Sequence, residues 1–293
     1  MTVLTARSTA AQLLVASRPV SWINTAYPFA AAWLLTAGAV DAVFVLGTLF
    51  FLVPYNLAMY GVNDVFDYES DLRSPRKGGA HGAVLDRRLH RVTLAAAAAA
   101  CLPFLAFLLA VGSTAANLVL AASMLLVVFY STPPLRLKEI PLADSLTSSA
   151  HFWSPAAYAI VLAGAPWTTA TTAAFVAFGL WGIASHAFGA VQDVPSDREA
   201  GIASIATWWG AAATVRFAIA GYAAAGAAVL LTPWPGPLAA PLVLLYIASA
   251  WPYRSVPDER ARESTRGWRR FLWLNQIAGF AVTLILIAAA RGA

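Results

Sequence analysis

Apolar residues run along this chain in stretches of transmembrane length, and charged residues gather in some of the connections between them. Nine such stretches are delimited, at about residues 20–38, 42–62, 92–111, 115–130, 142–163, 168–191, 212–231, 237–253 and 271–290. A helix needs roughly 20 apolar residues to cross the hydrocarbon core. Within lipid a helix also satisfies its own backbone hydrogen bonds. The pattern predicts an all-α membrane protein of about nine transmembrane helices, forming a single integral-membrane domain over residues 1–293. Composition agrees, with 60% hydrophobic and 11% charged residues and a mean hydropathy of +0.68. Soluble domains are nearer 45–50% and about 25%. Residues 1–20 lack the basic start, apolar run and cleavage site of a secretory leader, and are expected to lie along the membrane surface.

Charge placement orients the chain. Of the 19 lysines and arginines, all but Arg291 precede the first stretch or follow an even-numbered one. The connections after the first, third, fifth and seventh stretches carry none. The positive-inside bias therefore predicts a multi-pass protein of the cell membrane with its N-terminus and charged loops in the cytoplasm. A pI near 9.6 reports this topology, with membrane lipids as partners and no nucleic acid. Of the 14 acidic residues, all but Asp41 fall on the same side. Orientation does not demand this, since acidic residues contribute little to it; short, nearly charge-free outer connections explain part of it and a cytoplasmic active face would explain the rest. The lone cysteine, Cys101, lies within an apolar stretch and is expected to serve as a small buried hydrophobe.

The second stretch ends in "NDVFDYESD", residues 63–71. At about 100° per residue, Asp67 falls about 60° and Asp71 about 20° from Asp64, with Asn63 about 100° away on the same side. Glu69 faces away by about 140° and is expected to be a solvated charge. A second cluster, "DVPSDREAG", ends the sixth stretch, with Asp193 and Asp197 four apart and Pro195 between them, where a helix kinks or begins anew. Carboxylates packed on one stripe repel and favour cations. Hard divalent ions such as Mg²⁺ bind one or two carboxylates together with water and phosphate oxygens. Arginines and lysines nearby suit the remaining oxygens of a diphosphate. Candidates for those contacts are Arg73, Arg76 and Lys77 after the first cluster, Arg136 and Lys138 after the fourth stretch, and Arg198 beside the second cluster.

A metal or cation transporter would place its carboxylates near the midplane of broken helices, whereas these sit at helix ends. The DGxxAR…GxxxD pattern of membrane CDP-alcohol phosphotransferases is absent.

"NDVFDYESD" resembles the first aspartate motif of the UbiA-type intramembrane prenyltransferases, "DVPSDREAG" their second, and "YSTPPLRLK" the loop after their fourth helix. The stretches "SRPVSWINTAYPFAAAWLL", "YNLAMYGVNDVFDYESDLRSPRKGG" and "SHAFGAVQDV" resemble the branch that elongates lycopene in carotenoid biosynthesis. The resemblance implies helices arranged around a central cavity and Mg²⁺-dependent transfer of a prenyl group from an isoprenyl diphosphate, here dimethylallyl diphosphate. The implied acceptor is lycopene, with an aromatic or quinone precursor as the alternative; "RSPRKGGAHG" departs from the loop of quinone-pathway members. By motif, Asn63, Asp64, Asp67, Asp71, Asp193 and Asp197 are expected to hold metal, Arg136 and Lys138 the diphosphate, and Tyr130 to lie near the reacting carbon.

An alkene attacking an allylic cation leaves a tertiary cation that loses a proton or captures water. His186, seven residues before Asp193 and so about 20° from it, is a candidate to take that proton or position that water, or for a hydrogen bond between helices. Tyr60 precedes Asp64 by four residues and Asn56 precedes Asn63 by seven, so both are candidate lining groups. Asn24, near the cytoplasmic end of the first stretch, is a candidate for the cavity or for a helix–helix hydrogen bond.

Overall fold

Proline positions and polar caps set the helix boundaries. In the computed structural model, which describes residues 8–72 and 84–292, there are helices and turns but no strands among the described residues. The helices are α1 (Thr9–Ala16), α2 (Ile23–Thr36), α3 (Ala42–Leu52), α4 (Pro54–Phe66) and α5 (Tyr68–Asp71). They continue with α6 (His90–Val111), α7 (Thr114–Ser131), α8 (Ala143–Leu162), α9 (Thr169–Val191) and α10 (Val194–Ala200). The last are α11 (Ile205–Trp209), α12 (Ala211–Val229), α13 (Val243–Ala250) and α14 (Thr265–Gly292). Ser113 and Thr168 start α7 and α9 by accepting a hydrogen bond from the backbone three residues on, at 3.2 and 3.1 Å.

Among the described residues, seven helical segments are long and apolar enough to cross a membrane: 42–66, 87–111, 114–131, 169–191, 211–229, 236–253 and 258–292. The other two expected stretches form helices of a different character. α2 has 14 residues, short of a full crossing. α8 has 20 but carries Asp144, Thr147, His151 and several serines, many of them buried.

The second stretch is interrupted. α3 ends at Leu52 and α4 restarts at Pro54, whose ring supplies no backbone donor. The buried Asn56 closes this break by donating to the Phe51 and Leu52 carbonyls at 2.9 and 3.1 Å and to Thr25 Oγ1 at 2.7 Å. Thr25 Oγ1 in turn donates to the Phe51 carbonyl at 2.6 Å.

The described chain divides into two compact units, one comprising the residues up to Arg136 with His151–Pro166, the other Leu137–Ala150 with the residues from Trp167 onward. The core of the first is aromatic: Phe29, Phe50, Phe51, Tyr55 and Tyr158 are fully buried. Their rings meet at centroid distances such as 5.2 Å (Phe29–Phe51) and 5.1 Å (Phe51–Tyr55). In the second, α9 and α12 pack closely, since a side chain added at Gly221 would stand only 3.0 Å from the Ala184 methyl. Around that contact cluster Phe188, Tyr222, Tyr246 and Phe271.

Candidate functional site

The first aspartate cluster is built by the end of α4. Asp67 closes that helix with φ −100° and ψ 2°, so α5 starts as a separate turn. The hydrogen-bond ladder nevertheless continues, from Asp67 N–H to the Asn63 carbonyl at 2.9 Å and from Asp71 N–H to the Asp67 carbonyl at 2.8 Å. The spacing read from the sequence therefore survives the break.

Asp64 is 1% and Asp67 7% exposed, and a buried carboxylate needs a compensating partner. Each has an arginine. Arg18 donates from Nη2 to Asp64 Oδ1 at 3.1 Å, and Arg136 Nη2 lies 3.7 Å from Asp67 Oδ1. Both arginines adopt the left-handed backbone region, with φ of 50° and 41°. Such a conformation costs a non-glycine residue about 1–3 kcal/mol and persists where the surroundings fix it. The Arg18 guanidinium also lies over the Tyr60 ring, 4.3 Å from its centroid. By its place before the first stretch Arg18 counts only toward topology; the structure brings it to the first motif. Asn63 donates to Ser131 Oγ at 2.8 Å. Beside Ser131, Tyr130 meets the buried His151 edge-on at 5.2 Å. Glu69 is exposed and its neighbour is the equally exposed Arg87, 3.7 Å away, as a solvated charge should be.

The second cluster follows the same logic on other elements. α9 ends at Val191 and Pro195 opens α10, where its missing N–H is harmless. Asp197 N–H donates to the Asp193 carbonyl at 2.8 Å, which keeps the two carboxylates in helical register. Asp193 is 8% exposed. Arg198 is engaged locally, in an ion pair of 2.6 Å with Asp258 and a hydrogen bond of 3.1 Å to the Thr207 carbonyl. On α9, His186 Nε2 lies 3.8 Å from Asp144 Oδ2, and its side chain is 22% exposed. Lys138 sits half-buried in a short 3-10 turn, Leu137–Glu139.

The remaining candidates separate by position. Arg73, Arg76 and Lys77 lie outside the described residues. Asn24 is exposed, and its neighbour Thr25 takes the buried side of α2. Asn56, expected to line a cavity, is fully buried with its amide bonded at the α3–α4 break.

Among the described residues no three His, Cys, Asp or Glu side chains form a ready metal cage. Mg²⁺ needs none, since one or two carboxylates with substrate oxygens and water suffice. Asp64 and Asp67 offer a hard, all-oxygen donor set suited to that ion.

Apolar helices of membrane length, and buried aspartates matched by arginines where α4 ends, define an integral-membrane protein with a built carboxylate–guanidinium site. The chain belongs to the UbiA prenyltransferase family, whose model matches residues 25–290. It is 54% identical over 276 residues to the C(50) beta-cyclic carotenoids biosynthesis protein LbtBC of Dietzia sp. (strain CQ4), covering 94% of this chain. The chain spans only 64% of that relative's length. It is 47% identical over 276 residues to a lycopene elongase/hydratase of Corynebacterium glutamicum, covering 94% of this chain and 96% of the relative. The fold is similar to that of a UbiA homolog from Archaeoglobus fulgidus bound to DMAPP and Mg²⁺ (TM-score 0.64, 18% identity, 91% of this chain and 98% of that one). It is also similar to the apo structure of a UbiA homolog from Aeropyrum pernix K1 (TM-score 0.68, 21% identity, 91% and 98%).

Proposed function

We propose that this protein transfers a dimethylallyl group from dimethylallyl diphosphate to the ends of lycopene, with Mg²⁺, at the cytoplasmic side of the cell membrane. For the chemistry, the carrying observation is the pair of buried aspartates where α4 ends, each matched by an arginine in the left-handed region. The acceptor is supported by similarity to a lycopene elongase/hydratase over 96% of its length.

Asp64, Asp67 and Asp71, with Asn63, and Asp193 with Asp197 are the residues assigned to hold the metal. When bound, Mg²⁺ neutralises charge developing on the leaving diphosphate. Arg136 and Lys138 bind the oxygens of that group, and Arg18 joins them. The two aspartate–arginine pairs are already charge-balanced, so a metal and a diphosphate arriving together add little net charge. The allylic C–O bond breaks with its electrons going to diphosphate. The π electrons of the terminal alkene of the acceptor then form the new C–C bond. Tyr130, an electron-rich ring near Asn63, faces the developing cation. His186 accepts the final proton, from carbon or from an incoming water.

Arg136→Leu is expected to raise KM for dimethylallyl diphosphate by about 10- to 100-fold, the loss of one charge-assisted hydrogen bond. Arg136→Lys recovers only part of it, because a single ammonium cannot reproduce the guanidinium fork. Initial rates against substrate concentration check both.

The acceptor is tested by incubating membranes containing the protein with labelled dimethylallyl diphosphate, Mg²⁺ and an equimolar mixture of lycopene and an aromatic quinone precursor. Products are separated by chromatography and weighed by mass spectrometry. Label in pigments heavier by one or two prenyl units, with or without water, is the expected result. Label confined to the aromatic fraction would overturn the acceptor while keeping the transferase.

A further inference from the structure

Asp144 carries a side chain that no step above uses. It stands at the start of α8, directly after Leu142 and Ala143, and Leu142 is held at φ 71°. Its carboxylate is 1% exposed. Oδ1 accepts the Ser145 N–H at 2.6 Å, and Oδ2 accepts the Ile205 N–H at 2.8 Å. Two backbone donors from separate segments thus fix the plane of the carboxylate. Oδ2, the oxygen held by Ile205, is also the one that lies 3.8 Å from His186 Nε2.

At 3.8 Å the contact is an ion-pair distance and not a hydrogen bond, and it sets a fixed anion beside one nitrogen of the imidazole. A base that takes a proton on one ring nitrogen performs best when the other faces a fixed anion, which selects the tautomer and stabilises the imidazolium. A carboxylate already anchored by two N–H groups has no freedom to swing away, so the imidazole adjusts to it. His186 in turn is partly exposed while Asp144 is sealed, so the histidine is the member of the pair that can meet a substrate. We infer that Asp144 is a positioning residue for His186 in quenching the tertiary cation, an inference that rests on the assignment of His186 above.

The step balances simply. With Nε2 turned toward Asp144, Nδ1 takes the proton. Either an adjacent C–H bond gives up its proton and leaves its electron pair as a C=C bond, or water forms a C–O bond at the cationic carbon and gives up its proton. Asp144 exchanges no proton in this step, and diphosphate has already departed with the electrons of the allylic C–O bond. Failure at this step lets the new C–C bond revert to free acceptor and the allylic cation, which water captures as the prenyl alcohol with loss of a proton, so diphosphate is released without a matching yield of prenylated acceptor.

The experiment measures diphosphate released and prenylated product formed, in the same reaction, for wild type, Asp144→Asn, His186→Asn and the double variant. Asp144→Asn removes the charge and keeps one oxygen to accept from a backbone N–H, while its amide nitrogen gives up the second of those bonds. The expected result is one diphosphate per prenyl group transferred in wild type and a product-to-diphosphate ratio lower by about 10- to 100-fold in Asp144→Asn, as for groups that orient a reacting ligand. The double variant should match His186→Asn, because a residue acting through the imidazole has nothing left to orient. An unchanged ratio in Asp144→Asn, or a further multiplicative fall in the double variant, would overturn the proposal in favour of a purely architectural tie between α8 and α11. Should Asp144→Asn fail to accumulate in membranes, Asp144→Glu keeps the charge and displaces it, and an unchanged ratio there counts equally against the proposal. If wild type prenylates the aromatic compound and not lycopene, the acceptor assignment fails on its own. The ratio measured with that acceptor still decides the role of Asp144.

Discussion

Replacing Asp64 with asparagine is expected to lower turnover by at least about a thousandfold, on the scale of losing a preorganised electrostatic contact to the reacting group. The substitution preserves shape and removes one charge. It has a second consequence that distinguishes this site from an exposed carboxylate. Arg18, whose side chain is only 19% exposed, loses its ionised partner. Breaking a buried pair from one side costs about 3–5 kcal/mol, so the variant should also melt at a lower temperature in detergent. Pairing it with Arg18→Met, which removes the stranded charge, should recover much of the stability and none of the activity. Thermal unfolding of the purified proteins beside turnover separates the two effects. Activity near the wild-type level in Asp64→Asn would remove this aspartate from the metal site.

Stripping divalent metal is the second large effect. Excess chelator should reduce transfer to background, a fall of at least about a thousandfold, since the leaving diphosphate then departs without its counter-charge. Added Mg²⁺ should restore it. Ca²⁺ should restore far less, because it accepts longer bonds and looser geometry than the octahedral shell Mg²⁺ requires. Folding should be unaffected, as the described aspartates Asp64 and Asp67 have arginines beside them without the metal. Transfer that continues at an undiminished rate in chelator would contradict the metal assignment.

What the sequence disclosed, it disclosed through periodicity. The stripe of Asn63, Asp64, Asp67 and Asp71 was legible because helical register carries across the break at Asp67. Pro195 marked the start of α10 because proline suits a first helical turn. The exposed setting of Glu69 followed from the same angle count. What stayed hidden depends on tertiary approach. Arg18 is 46 residues from Asp64 in sequence and reaches it from a left-handed backbone that no pattern announces. Asp144 reads as an ordinary first-turn acid until Ile205 and His186 are brought beside it. Asn56, seven residues before Asn63, is taken up at the helix break, because the restart at Pro54 leaves neighbouring carbonyls that its amide answers. At Asn24 a single residue's step around α2 separates the exposed asparagine from the buried Thr25. Span counting from hydropathy gave nine stretches, whereas length and polarity set α2 and α8 apart from the seven membrane-length segments of the described chain.

Under the proposed function, each aspartate cluster takes part in Mg²⁺-dependent binding of dimethylallyl diphosphate. Equilibrium binding of labelled dimethylallyl diphosphate to the detergent-purified protein tests it most directly, with Mg²⁺ titrated from zero, in wild type, Asp64→Asn and Asp193→Asn. The expected result is saturable binding that requires Mg²⁺ and is weakened by at least about tenfold in each variant, the loss of a charge-assisted contact. Binding of equal strength without metal, unchanged in both variants, would contradict it.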